Sequence, residues 1–197
     1  MKKIVKKAAV LTAVAVCLSA FLLSGCQNNA NVMATVNGVD ITRSDYETRL
    51  KSHEIMTEII TENINNSDIA SEEKAAKIDE VKERYSTDQD AILDSMTETA
   101  YIDSKYDSIT HEQAKSEIEK QMENLDTYAD EYPQVATNGK IMDEYIKRMG
   151  LTKEEYTDIA ADSYISYVNK QKAKEEFCPA NQNNLYIVGD QSICLKN

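Results

Sequence analysis

The stretch TKEEYTDIAADSYISYVNKQKAKEEF, residues 152–177, carries the most regular hydrophobic pattern in the chain. Apolar and small residues recur in it at intervals of three and four, which is the spacing of one helix face. They are Tyr156, Ile159, Ala160, Ser163, Tyr164, Tyr167 and Val168. Thr152 stands three residues before Glu155, the spacing of a capping box at a helix start. The stretch therefore predicts a single helix of about 25 residues, roughly 37 Å long.

Similar patterns towards the N-terminus predict further helices. The expected segments are a first helix from Thr42 to about residue 63, a region from Ser71 to about Tyr106 that forms two helices or one interrupted near Ser86, a third helix from Thr110 to Pro133, and a fourth from about Lys140 to Met149. Capping-box spacing occurs at Thr42 with Asp45, at Thr87 with Asp90 and at Thr110 with Gln113. Gly150 suits a left-handed position at a helix C-terminus.

Two short hairpins are predicted at the ends of this helical region. Asn37-Gly38 lies between two β-prone runs within Val32 to Thr42, and this dipeptide favours a tight type I′ turn. Leu185 to Val188 and Ile193 to Leu195 predict a second hairpin. An isolated two-stranded hairpin is marginal in water, so we expect both to join in one small sheet.

The predicted fold class is mainly α, with an extended helical body and a small β element formed by the N- and C-terminal hairpins. Residues 32–177 are expected to form the helical domain. Residues 178–197 are expected to form a C-terminal tail whose hairpin packs on the N-terminal strands. The length that follows the first 26 residues fits one compact domain of about 170 residues, or one domain with a tail, and not two full-sized domains.

The first 26 residues have the pattern of an export signal. Four lysines precede an apolar run from Ala8 to Leu23, and Leu-Ser-Gly-Cys follows, ending at Cys26. This end resembles the bacterial lipobox, in which the cysteine is acylated and becomes the new N-terminus. We expect residues 1–25 to be a signal peptide, Cys26 to carry the lipid and residues 26–31 to be a tether. The alternative is an ordinary cleaved signal that contains a cysteine.

Lipidation at Cys26 would hold the protein on the extracytoplasmic face of a bacterial cell membrane. Without the four lysines of the signal, 18 Lys and Arg remain against 34 Asp and Glu, a net charge of −16. This balance argues against a nucleic-acid partner, since phosphate binding needs clustered cations. It also argues against a body that lies on anionic lipid.

The reactive residue types form no recognisable catalytic or metal pattern. Cys178 and Cys194 remain after Cys17 and Cys26 are assigned to the signal and the lipid, and a disulfide or two reduced thiols are both open. His53 falls on the apolar stripe of the first helix and is expected to pack in the core, whereas His111 is expected at the surface. We therefore predict a protein that is not an enzyme and has no cofactor or metal site.

Three segments, taken in order along the chain, carry a family resemblance: Ala34 to Thr42 with the helix start after it, Ile109 to Ile118, and Gly150 to Tyr156 with the long helix after it. Together they resemble the N-terminal helical chaperone domain of the SurA and PrsA type of exported foldases. The lipid anchor is similar to the PrsA branch. Family members commonly carry a parvulin-type prolyl isomerase domain after the closing helix, and only 20 residues follow Phe177 here. The resemblance implies a chaperone domain without the isomerase.

The leading functional expectation is a membrane-anchored, non-catalytic chaperone that binds unfolded or exported polypeptides. Methionine is common on adaptable binding surfaces, and long helical stripes carry it here. The candidate polypeptide-binding residues are Met56, Met96, Met122, Met142, Met149, Tyr164 and Tyr167. Ordinary core packing is the alternative for each methionine. A dedicated adaptor with one folded partner, and a residual peptidyl-prolyl isomerase, are the other two functions that we consider.

Overall fold

The computed structural model describes residues 31–177, 184–188 and 191–195. In chain order the elements are β1 (Val32–Val36), β2 (Val39–Thr42), α1 (Arg43–Asn65), α2 (Ser71–Arg84), α3 (Gln89–Asp103), α4 (His111–Tyr128), α5 (Pro133–Met149), α6 (Lys153–Phe177), β3 (Asn184–Val188) and β4 (Gln191–Leu195). The mainly α class is therefore confirmed. The long final helix has the predicted bounds, and the region after Ser71 is two helices.

Most of the helix starts that were read from local sequence are confirmed. Thr42 caps α1 in a complete capping box: its Oγ accepts from the backbone N–H of Asp45, and its own N–H donates to the Asp45 carboxylate at 2.9 Å. Thr110 and Gln113 form the same arrangement at α4. The predicted start at Thr87 is wrong by one residue. Asp88 caps α3 instead, because its carboxylate accepts from the N–H of Ala91 at 3.0 Å.

The boundary between the third and fourth predicted helices is also wrong. Pro133 does not end a helix: α4 stops at Tyr128, and Pro133 lies in the first turn of α5. Proline is tolerated there because a first-turn N–H has no partner within the helix. The earlier start brings Val135 into the core, where it is 8% exposed. At the other end of α5, Gly150 has the predicted left-handed conformation, with φ of 77°.

The two hairpins form separate two-stranded sheets, so the expected single sheet is wrong. β1 and β2 pair across Asn37 and Gly38, both at positive φ, which confirms the predicted turn. β3 pairs only with β4 in the described sheet topology, and β4 contacts α6. The first hairpin is stabilised by helix packing rather than by another hairpin: Ile41 of β2 lies with Ile92 and Met96 of α3.

Two hydrophobic clusters organise the helices, and α1 contributes to both. The larger cluster joins α1, α4, α5 and α6 around Met56, Ile118, Tyr145 and Tyr156. The smaller one lies under the first hairpin and includes Tyr46 of α1. A pair formed by Ile102 and Ala173 continues the packing of α3 on α6.

Candidate functional site

A cavity of about 370 Å³ lies between β2, α1, the C-terminal half of α3 and the middle of α6. We refer to it as the α3–α6 cleft. Its apolar wall is formed by Val39, Met96, Ala100 and Ile165. Its charged lining is formed by Arg49, Asp103, Asp107 and Asp162. The volume is in the range of small-ligand sites, and the mixture of an apolar wall with a few polar groups is typical of them.

Asp103 is held in place on the cleft wall by two neutral donors from α6. Its Oδ2 accepts from the Ser166 hydroxyl at 2.5 Å, and its Oδ1 accepts from the Asn169 amide at 2.9 Å. Asn169 is 1% exposed, and its side-chain oxygen accepts from the N–H of Ser108 at 3.1 Å. These bonds tie the end of α3 and the following loop to α6. The carboxylate is therefore oriented before any ligand arrives.

Asp162 connects the cleft to α4. His111 Nδ1 lies 2.8 Å from its Oδ1, and His111 Nε2 lies 3.6 Å from Oδ1 of Asp158 one turn earlier. Burial raises the pKa of Asp162, and the hydrogen bond from His111 opposes that rise. Lys115 donates to Asp158 and lowers the pKa of that carboxyl. His111 is at the surface as predicted, with 46% of its side chain exposed.

Arg49 lies at the buried side of the cleft and is 2% exposed. Burial lowers the pKa of Arg49 to about 10, so its guanidinium is still charged at neutral pH. The sequence reasoning missed this residue because it followed apolar residues along α1. The available signal was spacing: Arg49 stands three residues after Tyr46 and four before His53, on the same buried face.

Five of the candidate polypeptide-binding residues are the methionines, and four of these belong to the core. Met56, Met96, Met122 and Met142 are between 2% and 7% exposed, so core packing is what the structure shows for them. Among them, only Met96 lines the α3–α6 cleft. Met149 is half-buried against the larger cluster.

The two candidate tyrosines lie together on α6. The rings of Tyr164 and Tyr167 are half-buried and stacked, with centroids 6.2 Å apart and planes 29° apart. They do not line the cleft. Their role in polypeptide binding stays a prediction.

His53 is a core residue, as predicted. It is 7% exposed, its Nδ1 lies 2.7 Å from the carbonyl oxygen of Ser86, and its ring meets Tyr85 edge-on. Burial lowers the pKa of His53. The residue therefore connects α1 to the loop before α3 and stands apart from the cleft lining.

The predicted modification sites fall largely outside the described residues. Cys26 and Cys178 both lie outside them, and Cys194 is in β4, so the lipid and the disulfide stay predictions. Among the residues that the structure describes, no group of three or more His, Cys, Asp or Glu is arranged to hold a metal ion. In the same part of the chain, no helix has the length and apolarity that a membrane span requires.

Comparison with known proteins gives no match to the chain, whether with protein-family models, with curated proteins or with solved structures.

Proposed function

We propose that this chain is a lipid-anchored, non-catalytic chaperone-like protein that binds extended segments of unfolded or exported polypeptides in the α3–α6 cleft. The observation that carries this proposal is the make-up of the cleft. An apolar wall around Met96 and Ile165 lies beside hydroxyl, amide and carboxylate groups of Ser166, Asn169 and Asp103. An unfolded segment presents apolar side chains next to backbone N–H groups that need acceptors.

The size of the cleft favours a short segment over a folded domain. About 370 Å³ accommodates a few side chains, whereas a stable interface between folded proteins needs a broad surface on each partner. The oriented carboxylate of Asp103 can accept from a passing main chain without rearrangement of the site. A site of this kind binds many sequences weakly, as a chaperone requires.

The proposed location rests on the N-terminal residues. Lipid on Cys26 would place the helical domain on the extracytoplasmic face of a bacterial cell membrane, where exported polypeptides emerge unfolded. The acidic composition would keep the domain away from anionic lipid, so the cleft would stay accessible.

A dedicated adaptor with one folded partner is the second candidate. The hydrogen bonds among Asp103, Ser166, Asn169 and Ser108 favour it, because polar groups that are already ordered lower the cost of binding one specific surface. Crosslinking in native membranes would then give one stoichiometric partner instead of many.

Aggregation of chemically unfolded exported proteins tests the proposal. The soluble form starting at Gln27 should suppress light scattering of two unrelated clients at near-stoichiometric amounts. Thr99→Trp places a large ring in the cleft lining and should weaken this suppression. Thr97→Trp is the matched control, because Thr97 is on the same helix, also donates to a helix carbonyl and does not line the cleft.

Equal suppression by both tryptophan variants would contradict the assignment of the cleft, and no suppression of either client would contradict the chaperone function. The chain contains no tryptophan, so each variant also carries a single indole fluorophore at a known place. A blue shift of the Thr99→Trp variant on client addition, without one for the control, would support binding in the cleft. Isomerisation of a proline peptide by the protein would contradict its non-catalytic character.

A further inference from the structure

The charges that line the α3–α6 cleft are unequal. Three carboxylates, of Asp103, Asp107 and Asp162, stand against one guanidinium, that of Arg49. The hydrogen-bond donors to Asp103 are neutral, from Ser166 and Asn169. In the described ranges, neither Asp103 nor Asp107 lies within ion-pair distance of a lysine or arginine. The cleft lining therefore carries an excess of negative charge.

Apolar and polar side chains alternate along the wall of the cleft. Ala100 and Asp103 are one helical turn apart on α3, and Ile165 stands next to Ser166 on α6. Apolar surface thus leads directly to a carboxylate. A lysine or arginine side chain has the matching shape, since its methylene stem packs on apolar surface while its charged end stays near water.

Resting on the proposed function, we propose that the α3–α6 cleft binds a lysine or arginine side chain of the bound polypeptide, with its stem on Met96, Ala100 and Ile165 and its cation between Asp103 and Asp107. The site thus selects basic segments among unfolded chains.

Arg49 determines how far the side chain enters. Its guanidinium lies at the buried side of the cleft and repels a second cation that approaches it. Asp107 is exposed, in the loop that follows α3. The cationic end is therefore held at Asp103 and Asp107, away from Arg49, while the stem packs on the apolar wall. This geometry makes Asp107 the residue whose neutralisation weakens binding without disturbing the hydrogen bonds of Asp103.

The test compares short fluorescent peptides that are identical except for a central Lys, Gln or Glu. Binding to the full chain, purified in mild detergent, is followed by fluorescence anisotropy at about 50 mM NaCl, where exposed charges are weakly screened. We expect the Lys peptide to bind about fivefold more tightly than the Gln peptide, the size of a good exposed ion pair. The Glu peptide should bind most weakly. Asp107→Asn should reduce the preference for Lys, because only the Asp103 carboxylate then remains beside the cation.

Asp94→Asn is the matched control, because Asp94 is an exposed aspartate of α3 outside the cleft lining and loses the same charge. It should keep the preference for Lys. Equal binding of the Lys and Gln peptides, or a preference for Lys that Asp107→Asn leaves unchanged, would overturn this inference and leave the chaperone function standing. Failure of all three peptides to bind would contradict the proposed function as well.

Discussion

Replacement of Tyr145 by phenylalanine should destabilise the fold by an amount that depends on Ser52. Ser52 Oγ and Tyr145 Oη are 2.9 Å apart, and both residues are 0% exposed, so this hydrogen bond between α1 and α5 has no access to water. Burial raises the pKa of Tyr145 to about 12. Tyr145→Phe removes one partner and leaves the Ser52 hydroxyl buried without it.

The expected loss in the free energy of unfolding depends on whether one partner of this hydrogen bond is removed or both are. A buried polar group left without its partner costs about 1–3 kcal/mol, and we expect about 1–2 kcal/mol for either Tyr145→Phe or Ser52→Ala. The double variant removes both polar groups, so its cost should be close to that of one single variant. The coupling energy between the two sites should then be about 1–2 kcal/mol.

Urea unfolding followed by far-UV circular dichroism measures the free energy of unfolding for all four proteins. Tyr46→Phe is a control: Tyr46 is 9% exposed, and its hydroxyl forms no hydrogen bond within the described ranges, so the change should cost little. Additive losses in the double variant, within about 0.5 kcal/mol, would refute the reasoning. They would mean that each hydroxyl finds another partner once the first is removed.

Two further predictions concern pH and salt. Burial lowers the pKa of His53 below its usual 6.5, so the unfolded chain takes up a proton more readily than the folded one. The free energy of unfolding should therefore fall as the pH drops below about 6.5. The midpoint of thermal unfolding should fall less between about pH 7.5 and about pH 5.5 in His53→Gln than in the parent, and equal falls would contradict this. Arg148 of α5 donates to Glu144 on the same helix and to Glu62 of α1, and Arg148→Met should lower the free energy of unfolding at low salt. That difference should shrink at about 1 M NaCl, and a salt-independent loss would show that packing, not charge, is responsible.

Local sequence predicted the features whose hydrogen bonds close within a few residues. The capping boxes at Thr42 and Thr110 and the left-handed Gly150 depend only on their immediate neighbours, so their residue types were sufficient. The local pattern predicted Pro133 as the end of a helix, whereas the structure places it in the first turn of α5. Whether α5 starts there depends on whether Val135 finds a core to pack in, and this is a long-range property.

The candidate site also combines features that local sequence predicts with features that only long-range packing decides. The periodic stripe of α6 predicted a long helix, but the stripe that matters for the cleft is the neighbouring one, with Asp162, Ile165, Ser166 and Asn169. Which face of a helix meets which partner is decided by packing. Apolar spacing did not predict the burial of Arg49, because that burial follows from the helices placed around it.

The sequence by itself determined the helices, most of their ends, the first hairpin and the acidic composition, because these follow from spacing, caps and residue counts along a continuous stretch. Only the tertiary structure decided that the two hairpins form separate sheets, that four of the candidate methionines are buried, and that Asp103 meets Ser166 and Asn169. The physical reason is distance along the chain. The partners of Asp103 are more than 60 residues away, and their meeting depends on how α3 and α6 pack rather than on any local pattern.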